Sequence, residues 1–287
     1  MTADPAAFQP LTAQNIQRAL TTKTFGRTLH VLDEVASTNS RAATLAQQGA
    51  PHGAVVVAET QTAGRGRLGR HWHSPPGKNL YCSLLLRSMP ERDQQPLWLS
   101  WIPLIAALAV NRAVQVTASL KPTVKWPNDV LIGHRKLGGV LCESSGLGTS
   151  HAVVIVGIGL NVNVQLDDFP DDLRELATSL AIEAQHPFDR AALLAVLLSE
   201  METRCETFLT GARGDILKEY VLRCGTLGRR VIVELAHGEH VDGTADSILP
   251  DGSLRVIRTG ATGRPQTLDV RAGDVVHLRR YREGAAS

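Results

Sequence analysis

The sequence predicts an α+β protein with a small β-rich unit after its main domain. Through about residue 225, short β-forming runs are interleaved with apolar residues at helical spacing. After Cys224 the texture changes to five short β-type runs separated at the spacing of a small barrel. At 287 residues and 43% apolar composition, the chain is long and apolar enough for one large domain and one small one.

Taken in order, residues 28–32 and 54–59 read as strands, with a short helix over residues 38–48 that Ser37 or Thr38 could cap. Residues 60–78 form a long connection containing Pro75, Pro76 and four glycines, a length that usually marks a functional loop or a disordered one. Strand character resumes over residues 79–87. Residues 97–116 read as a core helix, kinked or begun near Pro103. Three β-type runs follow at residues 123–126, 130–132 and 137–143, with His134 and Arg135 as a tight hairpin connection, and a fourth at residues 152–158. Residues 188–209 have helical spacing, from Ala192 and Leu193 through Met201 to Phe208. The terminal runs cover residues 231–235, 241–245, 254–257, 268–270 and 275–278, with turns at His237-Gly238, Asp251-Gly252 and Ala272-Gly273. These divisions predict an N-terminal extension (residues 1–25), a main domain (26–225) and a small β-domain (226–283).

Several classes are disfavoured. The most apolar stretch, residues 97–110, is broken by Pro103 and falls short of the roughly 20 apolar residues a membrane span needs. The N-terminus MTADPAAFQPLTAQN has no basic start followed by an apolar run, so the expectation is a cytoplasmic protein with no membrane association. Cys82, Cys142, Cys205 and Cys224 are scattered without metal-ligand spacing and are expected to be reduced and structural. A net charge of +2 is too small for a general polyanion binder. The positive charge that matters is local.

It is concentrated in residues 61–70, QTAGRGRLGR. Glycines allow close backbone approach, and arginines offer planar, permanently charged forks to carboxylate or phosphate oxygens. Gly64, Gly66 and Gly69 formally satisfy GxGxxG, but the segment runs on into HWHSPPGKN, where two prolines oppose the helix that a dinucleotide fingerprint needs. His71 stands where a kinase-type loop would carry Val, and no Walker lysine follows the last glycine. A second cluster, Lys125-Trp126-Pro127-Asn128-Asp129 and Lys136-Leu137-Gly138-Gly139, brings two lysines, an amide and a carboxylate around the hairpin. A third, Val156-Gly157-Ile158-Gly159-Leu160-Asn161-Val162-Asn163, has glycines at the end of an apolar strand, where a ligand can press on the backbone.

In this order, Ser37-Thr38-Asn39, QTAGRGRLGR, KWPNDV, KLGG and GIGLNVN resemble the biotin protein ligase family over about residues 26–280. The resemblance implies a mixed β-sheet flanked by helices, as in class II synthetases, with a C-terminal SH3-like β-barrel. It implies ATP-dependent formation of biotinyl-5'-AMP and transfer of biotin to a lysine of the biotin carboxyl carrier domain of acetyl-CoA carboxylase or a related carboxylase. By motif, Ser37, Thr38, Asn39, Gln61, Arg65, Gly66, Arg67 and Lys136 are expected to bind biotin. Arg65, Arg67, Arg70, Trp72, Lys125, Asn128, Lys136 and Asn161 are expected to bind ATP, with Trp72 stacking on adenine. Lys136, Arg67 and Asp129 are the catalytic candidates, Asp129 either orienting or deprotonating the acceptor lysine. Mg²⁺ is expected with ATP, held mainly by phosphate oxygens; no protein metal site is expected, and His71 and His73 are read as non-ligands. Larger family members carry a helix-turn-helix domain, for which some 25 residues before the first strand are too few, so no direct DNA binding is expected. The family habit of dimerising through the main sheet allows a homodimer. A lipoyl protein ligase would also suit KLGG, and a nucleic-acid-binding module would suit the arginine loop, although the loop has only Trp72 as an aromatic.

Overall fold

The computed structural model describes residues 10–87, 94–147, 149, 152–235, 239–259, 264–271 and 274–277. Its main domain contains strands β1 (Leu29–Val35), β2 (Val55–Gln61), β3 (Leu80–Leu86), β4 (Thr123–Lys125), β5 (Asp129–Ile132), β6 (Arg135–Ser145) and β7 (Val153–Leu160). They form one sheet in the order β1-β2-β3-β7-β6-β5-β4. β1 and β2 are parallel and the remaining pairs antiparallel, so the sheet is mixed. The helices are α1 (Ala13–Ala19), α2 (Thr38–Gln47), α3 (Gln95–Ala118), α4 (Leu180–Ala184), α5 (Arg190–Leu209) and α6 (Arg213–Arg223).

The two-residue period of a strand explains where the site lies. In β7, Val154, Val156, Ile158 and Leu160 enter the main core with α3 and α5. Val153 and Ile155 face the other way, onto Ala42, Leu45 and Ala46 of α2. The next two positions on that second face are Gly157 and Gly159. On that face β7 therefore carries apolar side chains beneath α2 at one end and no side chains of its own at the other.

Helix α3 extends beyond the expected 97–116 and keeps Pro103 in its interior. Its length and composition would allow it to cross a membrane, yet Trp98, Trp101, Ile105, Leu108 and Val114 are all buried against the rest of the fold. An apolar circumference of this kind suits a central core helix.

Three details differ from expectation. The hairpin connection is Gly133-His134 rather than His134-Arg135: Ile132 pairs with Arg135, and Gly133 supplies a left-handed φ of 61°. Ser37 holds the N-cap position of α2 but makes no side-chain capping bond. Within the stretch expected as an N-terminal extension, Thr12 caps α1, and Ile16 is fully buried in the main core.

After Gly225, β8 (Arg230–Glu234), β9 (His240–Ile248), β10 (Leu254–Thr259), β11 (Pro265–Val270) and β12 (Asp274–His277) form an antiparallel sheet in the order β11-β10-β9-β8-β12. Among the described residues β11 and β12 do not pair, so the observed unit is a five-stranded sheet. The expected turns at His237-Gly238 and Ala272-Gly273, and the end of the last run at Leu278, lie outside the described residues. The turn at Asp251-Gly252 docks on the main domain: Trp101 Nε1 donates to Pro250 O at 3.0 Å, Ser100 Oγ to Asp251 O at 2.6 Å, and Trp126 Nε1 to Gly252 O at 3.0 Å.

Candidate active site

A cavity of about 640 Å³ opens over the glycine end of β7 and runs across β6 and β5 to the edge strand β4. Every sequence-predicted site residue lines it: Ser37, Thr38, Asn39, Gln61, Arg65, Gly66, Arg67, Arg70, Trp72, Lys125, Asn128, Asp129, Lys136 and Asn161. Such a volume suits a small organic ligand.

The end beneath α2 is built from neutral polar groups. Gln61 Oε1 accepts from the Thr38 backbone N–H at 2.9 Å, and Gln61 Nε2 donates to Ser74 Oγ at 3.2 Å. Asn39 Nδ2 donates to Glu143 Oε2 at 2.7 Å and to Leu141 O at 3.2 Å. Ser83 Oγ, fully buried, lies 2.6 Å from Asn39 Oδ1 and 2.8 Å from Thr38 Oγ1. This network fixes the rotamers of Thr38 and Asn39 before any ligand arrives. Gly157 is required beside it, because a Cβ there would lie 2.8 Å from Asn39 Cγ.

The glycine-arginine loop folds over this floor. It contains a short 3₁₀ turn, Arg67–Gly69, with Leu68 at φ 54° and Gly69 at φ 73°. Arg65 reaches Glu143 at 2.9 Å and Ser40 Oγ at 3.3 Å, while Arg67 Nη1 donates to Asn128 Oδ1 at 3.0 Å. Arg70 sits 3.6 Å from Glu234 of the small sheet. The loop is thus tied to β6, to the segment before β5 and to the terminal unit.

Trp72 leans on β7 where it carries no side chain: a Cβ at Gly159 would meet Trp72 Cε2 at 2.5 Å. Its Nε1 is buried without a hydrogen-bond partner, and Lys136 Nζ lies 5.5 Å from the ring centroid. Asn161 contributes to the wall, but its amide is already engaged, accepting from Asn79 Nδ2 at 3.3 Å and donating to Thr178 O at 3.0 Å. His73 Nε2 contacts the Asp168 carbonyl at 3.0 Å.

At the centre, Asp129 meets Lys136 at 2.7 Å and Lys125 at 3.6 Å. Burial alone would raise its carboxyl pKa. The charges of Lys136 and then Lys125 outweigh burial and hold it below the usual carboxylate value. Asn128 Nδ2 donates to Val140 O at 2.7 Å, anchoring the segment that carries both groups. Six cationic side chains line the cavity, Arg65, Arg67, Arg70, Lys125, Lys136 and Arg229; Asp129 is the one carboxylate in the lining, and Glu143 and Glu234 pair with Arg65 and Arg70.

Ser74, Ser83 and Glu143 support this site and Arg229 lines it, although no motif singled them out. Ser83 sits in an otherwise apolar strand, YCSLLL, and a buried hydroxyl in such a run is a detectable signal. Glu143 and Arg229 carry no such mark.

Residues 31–161 match the biotin/lipoate A/B protein ligase family. The chain is similar to the bifunctional ligase/repressor of Bacillus subtilis, with 39% identity over 219 residues covering 75% of this chain; it spans 66% of that relative's length. It is 36% identical over 257 residues to the biotin–[acetyl-CoA-carboxylase] ligase of Mycobacterium tuberculosis, covering 88% of this chain and 90% of the relative. The fold is similar to that of the Aquifex aeolicus biotin protein ligase solved with biotin and ATP, with a TM-score of 0.72, 27% identity, and coverage of 88% of this chain and 99% of that one. The ordered motifs, the cavity they line and these relatives together place the chain in the biotin protein ligase family.

Proposed function

We propose that the chain activates biotin with ATP as biotinyl-5'-AMP and transfers the biotinyl group to a lysine of a biotin carboxyl carrier domain. The observation that carries this reading is the charge of the cavity: six cations line it, of which Arg65 and Arg70 are paired with Glu143 and Glu234, beside an end lined by Ser37, Thr38, Asn39 and Gln61. Bringing a carboxylate up to a triphosphate requires preorganised positive charge, and a uncharged ureido ring requires neutral donors and acceptors.

In the first step a carboxylate oxygen of biotin bonds to the α-phosphorus, and the bond from that phosphorus to the bridging oxygen breaks, its electron pair leaving with pyrophosphate. Lys136 and Arg67 face the charge that develops there. Ser37, Thr38, Asn39 and Gln61, with Arg65 and Gly66 above them, hold the ureido ring. Trp72 offers a face for adenine and an unpartnered N–H beside it. In the second step the acceptor amine bonds to the mixed-anhydride carbonyl and AMP departs. Asp129, kept ionised between two lysines, is suited to orient an ammonium or amine rather than to take up a proton.

Mg²⁺ enters as part of the MgATP substrate. The ion is held mainly by phosphate oxygens, the usual arrangement for magnesium with a triphosphate. This reading places the reaction in the cytoplasm, where ATP and carboxylases meet. It takes the five-stranded terminal sheet as an SH3-like barrel, supported by its antiparallel meander with one buried face. It assigns no operator-binding role to residues 10–28, whose helix is packed into the ligase core. It allows a homodimer through the main sheet, of which β1 is an edge strand.

Incubating the protein with labelled biotin and MgATP, with lipoate in a parallel reaction, tests this function. A retained biotinyl-adenylate and pyrophosphate release with biotin are expected; activation of lipoate alone would overturn the assignment.

A further inference from the structure

Along β3 the side chains alternate between the two faces of the sheet. Leu80, Cys82, Leu84 and Leu86 enter the main core, while Leu85 packs with Ala46 of α2 on the other face. Ser83 shares that α2 face, is paired across the sheet with Gly157, and is fully buried. It lies beneath the cavity lining rather than in it. A hydroxyl in such an apolar run has to be paired, and its two partners, Asn39 and Thr38, both belong to the neutral end beneath α2.

The direction of each bond follows from which atoms can donate. The Asn39 amide is anchored by two groups that only accept, the Glu143 carboxylate at 2.7 Å and Leu141 O at 3.2 Å, so both face Nδ2. Its Oδ1 therefore faces Ser83, and across that 2.6 Å contact only the Ser83 hydroxyl can donate. A hydroxyl has one hydrogen. The 2.8 Å contact between Ser83 and Thr38 must then run the other way, from Thr38 Oγ1 to Ser83 Oγ. Thr38 Oγ1 also lies 3.2 Å from Gln61 Oε1, an oxygen that accepts from the Thr38 backbone N–H and cannot donate. The Thr38 hydrogen is thus spent inside the wall on either neighbour. Turning it to a ligand would leave two buried oxygens 2.8 Å apart with no proton between them, the cost of an unpaired buried group. Toward the cavity, Thr38 Oγ1 can only accept.

We infer that Ser83 is a specificity-determining residue that never touches the ligand: by donating to Asn39 it makes the Thr38 hydroxyl an obligate acceptor, and so selects ligands that present an N–H at that point. The inference rests on the biotin-activating function proposed above, in which the group at this end is a cyclic urea with two N–H groups. A site built to hydrogen-bond one group rejects the wrong group far more strongly than an apolar pocket rejects a methylene, because its own buried atom is left unpaired.

Exchange of labelled pyrophosphate into ATP tests this with biotin and with the two cyclic carbamates in which a ring oxygen replaces one or the other ureido N–H. In wild type, the carbamate that sets its oxygen against Thr38 should have a KM about 100-fold or more above that of biotin. Ser83→Ala frees the Thr38 hydrogen to turn toward the ligand and should cut that ratio about tenfold, raising the KM for biotin and lowering that for the carbamate. Ser83→Cys, a weak donor, should give an intermediate ratio and keeps the test open if the alanine variant fails to fold. Adding Ser83→Ala to Thr38→Val should leave the ratio where Thr38→Val alone puts it, because the hydroxyl through which Ser83 acts is gone. Equal increases in KM for biotin and carbamate in the Ser83 variants would make Ser83 a packing residue and overturn the inference. Wild-type protein that takes both carbamates as readily as biotin would overturn it too. A wild-type protein without biotin-dependent exchange would remove the underlying function instead, a result distinguishable from either.

Discussion

Gly157 and Gly159 divide the cavity into two ends that can be perturbed separately with one methyl group each. At position 157 an alanine Cβ would lie 2.8 Å from Asn39 Cγ and 2.9 Å from its Nδ2, and closer still to Oδ1. Asn39 cannot yield freely, because Glu143, Leu141 O and Ser83 hold it at 2.7, 3.2 and 2.6 Å. Its displacement breaks one or two of these bonds, each worth about 1 kcal/mol. If biotin depends on the same geometry, that loss corresponds to roughly a 5- to 30-fold weaker affinity. Overpacking adds about 1–3 kcal/mol of lost stability.

At position 159 the same methyl meets Trp72 Cε2 at 2.5 Å. The ring must tilt away from β7, changing the surface offered to the nucleotide and the Lys136 contact at 5.5 Å, which is worth about 0.5–1 kcal/mol at a partly exposed site. Initial rates of pyrophosphate exchange over a grid of biotin and ATP concentrations resolve the two effects, with thermal melts controlling for stability. Gly157→Ala should raise the KM for biotin and leave that for ATP nearly constant, and Gly159→Ala should do the reverse. If both variants raised both constants equally, or neither did, the division into a biotin end at Asn39 and a nucleotide end at Trp72 would be wrong.

Lys136→Ala removes a preorganised cation from the reacting phosphate and should slow adenylate formation about 10²- to 10³-fold, with Lys136→Arg partly restoring it; single-turnover rates within a few-fold of wild type would contradict its role. Arg67→Ala loses the bond to Asn128 while the Asn128–Val140 bond remains, so the expected effect is release of bound adenylate about tenfold faster, measured by filter retention; unchanged release would rule out the loop as a lid. Because Asp129 has its pKa lowered by folding, its contribution to stability is present above the unfolded-state value near 4 and is lost as pH falls through the folded value. Acid titration of stability should therefore be flatter below about pH 4 in Asp129→Asn than in wild type, and superimposable curves would show the ion cluster to be energetically neutral.

Much of this was legible in sequence because it depended on periodicity and motif order. The apolar β-forming run over residues 152–158 located β7, and the five ordered motifs held thirteen of the fourteen expected site residues, Trp72 lying two positions beyond QTAGRGRLGR. What escaped depends on tertiary context. Helix α1 buries Ile16 alone in its seven residues, too few to show a helical stripe. The hairpin shifted by one residue because Gly133 can take a left-handed φ and a register irregularity falls between Val130 and Leu131. Arg65 and Arg70 looked equivalent in QTAGRGRLGR, yet one pairs with Glu143 and the other with Glu234, partners 78 and 164 positions away. Asn161 read as a free ligand group, but its amide braces Asn79 and Thr178. No local pattern encodes such long-range pairings.

The charge arrangement around Asp129 also bears on how the acceptor lysine loses its proton. A carboxylate held ionised by Lys136 and Lys125 is a weak base at neutral pH. The surrounding cations act on the incoming ammonium in the opposite sense, since like charges disfavour its protonated form. The amine can therefore reach its reactive state by entering the cavity, without a dedicated base. It follows that the pH profile of transfer from preformed biotinyl-adenylate should have an apparent pKa below that of free lysine, about 10.4. Asp129→Asn removes the one negative charge facing the amine and should lower that apparent pKa further, with a moderate change in the limiting rate. If Asp129 were instead the general base, the same variant would cost about 10²- to 10⁴-fold in rate and would erase the ionisation rather than shift it downward. The direction of the shift thus separates electrostatic activation by the cavity from proton transfer to a residue.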